Sequence, residues 1–393
     1  MNKLIKKVNK AFCEYFDKEP IIIKSPGRVN LIGEHTDYNE GYVLPAAINK
    51  VIILALAPNK LGKVRMHALD ADGELYEHDL SEPIKNVSGW ADYIYGAISE
   101  LNKEGHEVEG FDCVFGGDIP IGSGLSSSAA LTGGIIFGLS EMFNFNLSTL
   151  EKTFLAQKVE NDFVGVNCGI MDQFASLHGK SGHVIKLDCR SLEYSYHKFS
   201  RKDMSIVLCD TRIHRELVSS EYNRRRKDCE DGVNQLNNYV GGLKSLRDVD
   251  ISMLDTYKEK LDPIIYKRCK YVVEENNRVT KACEDLENNN LVSFGQRMYQ
   301  SHAGLRDDYE VSCFELDTLV EAARQLDGVY GSRMMGGGFG GCTINLVEEK
   351  HLEAFKEKIT SAYTAKTGKE IKIYVTQING GTELIHSRYL EQL

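Results

Sequence analysis

A row of polar side chains directly after an apolar strand constrains this chain more than any other feature of its sequence. The apolar run III at residues 21 to 23 reads as a strand and leads into GRVNLIGEHTDYNEG, residues 27 to 41. A tight turn usually needs one Gly-Asn or Gly-Asp pair, not a series of charged groups. Glu34, His35, Asp37 and the neighbouring amides offer directional donors and acceptors, which suit an uncharged polyol such as a sugar.

Composition and charge exclude several classes of protein. At 393 residues the chain is long enough for two or three domains. Its hydrophobic content of 42% and charged content of 26% are typical of a globular protein. A formal net charge of -10 disfavours nucleic acid as a partner, since binding DNA or RNA needs a positive surface. The longest apolar run, VIILALA at 51 to 57, is too short to span a membrane.

Cysteine usage and the N-terminus predict a cytoplasmic protein. The ten cysteines are scattered, without a CxxC pair or a Cys/His cluster at metal spacing, which favours free thiols in a reducing compartment. The N-terminal segment MNKLIKKVNKAFCEYF has no apolar core of a secretory signal.

Hydrophobic periodicity predicts an α+β fold. Strands are expected at 21–24, 51–57, 62–68, 74–79, 111–118, 182–188, 204–210, 329–335, 342–348 and 371–378. Helices are expected at 90–103, 126–142, 148–163, 216–240, 261–288, 291–307, 313–326 and 350–366. Strand blocks mixed with helices, without strict βαβ alternation, indicate α+β domains. We place the boundary near residue 190, which gives an N-terminal unit of 1–190 and a C-terminal unit of 191–393.

A glycine- and serine-rich loop predicts an anion site. In PIGSGLSSSAAL, residues 120 to 131, glycines allow a ligand to approach the backbone, and the following helix start offers free N–H groups. That arrangement favours phosphate, although a turn capped by a serine is the alternative. The loop has no lysine of the Walker A type. A later G-x-G-x-x-G, at Gly336, Gly338 and Gly341, leads from strand to strand, which argues against dinucleotide binding.

Two carboxylates are candidates for chemistry. Asp172 lies among apolar and small residues, where a carboxylate is costly without a partner. Glu160 precedes it on a predicted helix. Each has an ordinary explanation, helix capping for Asp172 and an exposed helical position for Glu160. Together with the glycine loop and Arg28 they supply the parts that phosphoryl transfer needs: a phosphate cradle, a metal site, a cation and a base.

At this point the chain resembles the galactokinases of the GHMP small-molecule kinase superfamily. GRVNLIGEHTDYNEGYVLP is similar to the galactokinase signature, PIGSGLSSSAAL to the superfamily's ATP loop and GGGFGGCTINL to its third motif. CGIMDQF and SSEYNRRR also match family segments. The resemblance implies a two-lobed α+β fold with the active site between the lobes.

The resemblance also implies roles for individual residues. Asp172 matches the catalytic aspartate and Arg28 the arginine that faces it. The implied sugar-binding positions are Glu34, His35, Asp37, Gly169 and Tyr222. The implied ATP-binding positions are Gly122, Ser123, Gly124, Leu125, Ser126, Ser127 and Ser128, with Trp90 near the adenine. Ser128 and Glu160 match the ligands of Mg²⁺.

The expected activity is phosphorylation of D-galactose by MgATP at the C1 hydroxyl, by a monomer or a weak homo-oligomer. A kinase for a related sugar such as N-acetylgalactosamine is one alternative. A sensor that binds sugar and ATP without turnover is another, and the intact Arg28, Asp172, Ser128 and Glu160 argue against it. The basic run RRRK, residues 224 to 227, spreads around a helix and is expected to be solvated.

Overall fold

Three β-sheets organise the chain in the computed structural model. It describes residues 1–71, 75–120, 122, 124–199, 201, 203–213 and 218–386. The strands are β1 (Ile21–Asn30), β2 (Tyr42–Val43), β3 (Pro45–Pro58), β4 (Lys63–Ala68), β5 (Leu75–Asp79), β6 (Phe111–Gly117), β7 (His183–Asp188), β8 (Tyr194–Lys198), β9 (Met204–Asp210), β10 (Val329–Met334), β11 (Cys342–Glu348), β12 (Lys372–Thr376) and β13 (Glu383–Ile385).

Helices cover the faces of these sheets. They are α1 (Asn2–Phe16), α2 (Ala91–Lys103), α3 (Ser127–Phe143), α4 (Thr149–Lys158), α5 (Met171–His178), α6 (Val218–Asn237), α7 (Ile251–Thr256), α8 (Pro263–Glu287), α9 (Leu291–Asp307), α10 (Phe314–Arg324) and α11 (Leu352–Thr367). In the described part of the chain, none of these helices is both long and apolar enough to cross a membrane.

The first lobe is built on a six-stranded sheet in the order β13-β1-β3-β6-β4-β5. All of its neighbours are antiparallel except β4 and β6. Helices α2 and α3 pack on one face of the sheet, and α1 packs on the other through Ile5, Val8 and Phe12. The chain returns to this sheet at its far end, because β13 pairs with β1.

The second lobe contains a four-stranded antiparallel sheet in the order β10-β11-β9-β12. Helices α10 and α11 cover one face of it through a cluster that includes Leu319, Phe355 and Tyr363. Apolar residues of the other face, such as Ile344 and Leu346, belong to the same core cluster as residues of the first sheet. The apolar core is therefore continuous between the lobes, and the site described below lies between them.

Most of the predicted elements are present. The predicted helix at 148–163 begins with the expected capping box between Ser148 and Glu151, but changes into a π-helix over Val159–Val164. Helices α1, α5 and α7 and strands β2, β8 and β13 were not predicted. The predicted strand at 74–79 and helix at 216–240 each begin outside the described residues. The division of the chain at residue 190 stays a prediction.

The expectation that RRRK is a solvated run was wrong for one of its residues. Arg225 is buried, and its Nε donates to the carbonyl oxygen of Tyr309 over 2.8 Å while its Nη2 donates to that of Glu310 over 2.9 Å. Arg224 and Lys227 are exposed, as expected. A helix that packs on one side always turns one position in three or four inward, and Arg225 satisfies its buried charge with these carbonyls and with Glu221.

Candidate active site

Arg28 and Asp172 form a paired unit at the centre of the candidate site. Nε of Arg28 donates to Oδ1 of Asp172 over 2.7 Å, and Nη2 donates to Oδ2 over 2.6 Å. The pair is a bidentate arginine–carboxylate contact, the most directional ion pair that side chains make. The register of β1 against β3 shifts between Pro26 and Arg28, so a bulge aims the arginine at this point. Asp172 lies in the first turn of α5.

The same pair is tied to the glycine- and serine-rich loop. Nη1 of Arg28 donates to the carbonyl oxygen of Gly124 over 2.6 Å, and the hydroxyl of Ser126 donates to Oδ2 of Asp172. Ser126 is the N-cap residue of α3, yet its side chain makes no capping bond. In the described residues this hydroxyl thus contacts Asp172 and does not cap the start of α3, where N–H groups can bind an anion.

Gly122 and Gly124 both have left-handed backbone conformations, with φ of 77° and 76°. A Cβ on either residue would meet no other atom, so the backbone conformation and not packing requires glycine there. Leu125 differs from its neighbours, because its side chain is buried in the core of the first lobe. Any contact of Leu125 with a nucleotide would come from its backbone. Ser123 lies outside the described residues.

Glu34 is a buried carboxylate held by the second lobe. Its Oε1 accepts from Nη2 of Arg333 over 3.1 Å and from the N–H of Gly336 over 2.9 Å. Burial alone would raise the pKa of Glu34, but the Arg333 charge and the Gly336 N–H outweigh it and hold the pKa below its usual value. Gly336 belongs to the third glycine motif, so that motif contributes to the site through Glu34.

Asp37 and Gly169 are in direct contact. A Cβ on Gly169 would overlap the carboxylate of Asp37, which explains why this position is a glycine. Burial raises the pKa of Asp37 to about 6, and the nearby charge of Asp172 adds to the rise. Asp37 opens a short 3₁₀ turn, Asp37–Asn39, and its carboxylate interacts with the N–H of Tyr38.

An aromatic group stands next to these carboxylates. The His35 ring lies 5.6 Å from the ring of Tyr222 and 4.8 Å from that of Tyr309, and its Nδ1 is 2.7 Å from the hydroxyl of Tyr38. Burial lowers the pKa of His35 to about 4, so the imidazole is neutral near neutral pH. The rings offer an apolar wall for one face of a ligand, and the neighbouring carboxylates offer hydrogen-bond acceptors for its edge.

The sequence-predicted sugar residues surround one cavity of 160 Å³. The residues that line it come from both lobes: Arg28, Glu34, His35, Asp37, Cys168, Gly169, Met171, Asp172, Tyr222, Gly336 and Gly337. Asp172 keeps 27% of its side chain exposed here, whereas Arg28 keeps 8%. The carboxylate of Asp172 is therefore accessible from the cavity, with the arginine behind it.

Glu160 and Ser128 meet beside the glycine- and serine-rich loop. Oε1 of Glu160 accepts from Nε2 of Gln173 over 2.7 Å, and the Ser128 and Thr132 hydroxyls also interact with the carboxylate. Burial raises the pKa of Glu160 to about 7. Among the described residues, no group of three or more His, Cys, Asp or Glu side chains is arranged to hold a metal ion. A hydroxyl with one carboxylate fits Mg²⁺ only where phosphates and water complete its coordination.

Trp90 lies apart from the cavity. It is the residue before α2, and its ring packs edge-to-face on Tyr76 and Phe115 at centroid distances of 4.9 and 5.1 Å. Phe115 belongs to β6, the strand that leads towards the glycine- and serine-rich loop. The assignment of Trp90 to the adenine stays a prediction.

Comparison with known proteins identifies the family. The model of the galactokinase galactose-binding signature matches residues 10–58. The models of the GHMP kinase N-terminal and C-terminal domains match residues 92–180 and 282–365. A galactokinase of Clostridium acetobutylicum is 42% identical over 98% of this chain and 99% of its own length. The chain belongs to the galactokinase family.

Further galactokinases agree with this assignment, and a more distant kinase shares the fold. A galactokinase of Roseiflexus sp. is 39% identical over 95% of this chain and 95% of its own length. The crystal structure of Lactococcus lactis galactokinase in complex with galactose superposes with a TM-score of 0.92 at 38% identity, covering 97% of this chain and 99% of that one. A mevalonate kinase of Methanococcus jannaschii, at 20% identity and a TM-score of 0.64, shares the GHMP fold. The predicted fold class is thus confirmed.

Sequence reasoning missed several residues of this galactokinase-family site. Ser126 was assigned to ATP, whereas its hydroxyl also contacts Asp172. Arg333 and Gly336 were not assigned to the sugar side, although both donate to Glu34. An arginine in the apolar strand VYGSRMM was the available signal, because a buried arginine requires a partner.

Proposed function

We propose that this protein is a galactokinase, which transfers the γ-phosphoryl group of ATP to the C1 hydroxyl of D-galactose and releases α-D-galactose 1-phosphate and ADP. One observation carries the proposal. The Arg28–Asp172 pair lines the cavity that holds the sugar residues and is bonded to Gly124 and Ser126 of the phosphate loop. A group at this junction can act on the acceptor and on the transferred phosphoryl group together.

The sugar is recognised by the carboxylates and rings of the cavity. Glu34 and Asp37 accept hydrogen bonds from hydroxyls, including the axial hydroxyl at C4 that distinguishes galactose from glucose. A buried acceptor that is paired by one epimer and left unpaired by another discriminates strongly. His35 and Tyr222 form the aromatic wall, and Gly169 leaves the room that the Asp37 carboxylate needs.

The nucleotide is bound at the loop from Gly122 to Ser128. Left-handed glycines bring the backbone close to the phosphates, and the start of α3 contributes N–H groups and the positive end of its dipole. Trp90, whose ring packs on Phe115 of β6, is assigned to the adenine.

Ser128 and Glu160 would hold Mg²⁺. The groups that the described structure places on the Glu160 carboxylate are neutral donors, from Gln173, Thr132 and Ser128, so a bound cation would offset the cost of its burial. When bound, the metal ion neutralises charge on the β- and γ-phosphates. Gln173 and Thr132, which contact Oε1 of Glu160, would hold the carboxylate in place.

In the chemical step, the C1 oxygen of galactose forms a bond to the γ-phosphorus, and the bond from that phosphorus to the β–γ bridging oxygen breaks. The electron pair of the broken bond leaves with ADP. The proton of the C1 hydroxyl passes to the carboxylate of Asp172, which Arg28 holds in place. In a looser, metaphosphate-like transition state the proton would leave late, and Arg28 would act mainly on the γ-phosphoryl oxygens.

Release of ADP over a panel of free hexoses and hexosamines tests this function. We expect turnover with galactose and none above background with glucose. A higher kcat/KM for N-acetylgalactosamine than for galactose would assign the protein to that sugar instead. Binding of galactose and ATP without ADP release would identify a sensor.

The proposed enzyme works in the cytoplasm as a monomer or weak homo-oligomer. All ten cysteines are free thiols, which supports a reducing compartment. Sedimentation of the purified protein over a range of concentrations tests the oligomeric state.

A further inference from the structure

Arg333 is an arginine of the second lobe that is fully buried, with 0% of its side chain exposed. It lies on β10, just before the third glycine motif, and every nitrogen of its guanidinium is used. Nε donates to the carbonyl oxygen of Leu31 over 2.7 Å and Nη2 to that of Asn30 over 2.5 Å. Nη1 donates to the carbonyl oxygen of Met334 over 2.6 Å.

These contacts fasten the segment that carries Glu34 to the second lobe. Leu31 and Asn30 precede Glu34 by a few residues, so their carbonyls fix the backbone from which the carboxylate extends. Nη2 of Arg333 also reaches Oε1 of Glu34 over 3.1 Å, and the side chain of Glu34 is only 4% exposed. One side chain therefore sets both the position of the backbone and the direction of the carboxylate.

We propose that Arg333 is a positioning residue for sugar recognition, which acts through Glu34 from the opposite lobe. This inference rests on the proposed function, in which Glu34 binds a hydroxyl of the sugar. A buried carboxylate needs a fixed cation to remain charged, and a charged acceptor discriminates hydroxyl positions more sharply than a neutral one. Arg333 supplies that cation, and the N–H of Gly336 donates a second hydrogen bond to the same oxygen of Glu34.

The arrangement also explains why arginine and not lysine stands at position 333. A guanidinium presents donors in a planar fork and can bond three carbonyls and a carboxylate at once. An ammonium on a flexible stem keeps the charge but cannot make all of these bonds. Arg333→Lys therefore separates positioning from the presence of a positive charge.

Monodeoxy-galactoses provide the test. The ratio of kcat/KM for galactose to that for each deoxy sugar measures how much the missing hydroxyl contributes to kcat/KM. Glu34→Gln should lower this ratio for one deoxy sugar, which identifies the hydroxyl that Glu34 binds. We expect Arg333→Lys to lower the ratio for the same deoxy sugar and to leave the other ratios unchanged, with a loss of about 10²-fold in kcat/KM for galactose. The KM for ATP should change little.

Arg268→Lys is the matched control. Arg268 is also a buried arginine that donates to a backbone carbonyl, that of Asp308, but it has no contact with Glu34. It should keep every ratio at its wild-type value. If Arg333→Lys also kept the wild-type ratios, or lost kcat/KM equally for all sugars, the proposal would be overturned. A general structural role would give no change that is selective for one hydroxyl.

A second variant covers the case in which Arg333→Lys fails to fold. Arg333→Met in the Glu34→Gln background removes both charges, so no charge is left buried alone. It should reproduce the ratios of Glu34→Gln, and a further loss at a different hydroxyl would contradict the proposal.

Wild-type protein that releases no ADP with galactose would contradict the proposed function, not the role of Arg333. The deoxy-sugar ratios would then be measured as calorimetric Kd values, with the same expected and contrary outcomes for the variants.

Discussion

Arg28 holds Asp172 with two parallel hydrogen bonds of 2.7 and 2.6 Å, although 144 positions of sequence separate them. The remaining terminal nitrogen of the same guanidinium donates to the carbonyl oxygen of Gly124 in the glycine- and serine-rich loop. One rigid contact therefore joins the cavity, Asp172 and this loop. In this geometry a small displacement of the pair would disturb the chemistry more than the binding of either substrate.

Asp172→Asn should lower kcat by about 10²- to 10⁴-fold, the range that a general base contributes. The amide keeps the shape of the side chain but cannot accept the proton, so galactose binding should survive. Steady-state kinetics with galactose and ATP measure the effect. Asp203→Asn, which removes an exposed carboxylate paired with Arg201, is the control and should leave kcat unchanged. A kcat near the wild-type value for Asp172→Asn would leave Arg28 and the metal as the catalytic groups.

Gly169→Ala should reduce kcat/KM for galactose by about 10²-fold, because a displacement of the order of 1 Å in a positioned group costs that much. The new methyl group would overlap the Asp37 carboxylate and force it to move. The KM for galactose should rise far more than the KM for ATP. Gly380→Ala is the matched control, since a Cβ there meets no other atom. Equal changes in both KM values would show that Gly169 has no particular role in the sugar site.

Galactose binding should weaken as the pH falls through the pKa of Asp37, which burial raises to about 6. The carboxylate must be ionised to accept hydrogen bonds, and a raised pKa means that protons compete already in mildly acidic solution. One titrating group gives a rise of about tenfold in the KM for galactose between about pH 7 and about pH 5. In Asp37→Asn the KM for galactose should be higher, and its pH dependence should no longer show this inflection. An inflection that persists in the variant would assign it to another group.

Glu160→Gln should raise the Mg²⁺ concentration for half-maximal rate by at least about tenfold, the loss expected when the surroundings of a bound metal are weakened. The amide keeps the contacts with its neutral neighbours but carries no charge for the cation. Titration of Mg²⁺ at fixed ATP and galactose measures the change, and direct binding of Mn²⁺–ATP gives a second readout. Glu104→Gln, at an exposed pair with Lys158, should behave as wild type. A change in galactose affinity alone would contradict the metal role.

Local patterns in the sequence predicted a large part of this site. The capping box of Ser148 and Glu151, the glycine loop before α3 and the polar row around Glu34 all depend on residues close in sequence. The capping box and the helix that follows the glycine loop form as expected. Asp172 was singled out because a carboxylate among apolar residues needs a partner, and that partner is Arg28. These inferences succeeded because backbone conformation and local hydrogen bonding are set within a few residues.

By itself the sequence thus determined the α+β class, and it singled out the glycine- and serine-rich loop and the carboxylates that line the cavity. Only the tertiary structure decided that Arg333 holds Glu34 across 299 positions, that Arg225 is buried and that β13 completes the first sheet. Periodicity indicates that a side chain is buried, but it does not indicate against what. The partner of a buried charge is fixed when the two lobes pack together, because only then is the charge desolvated, and a desolvated charge is costly without an oppositely charged partner.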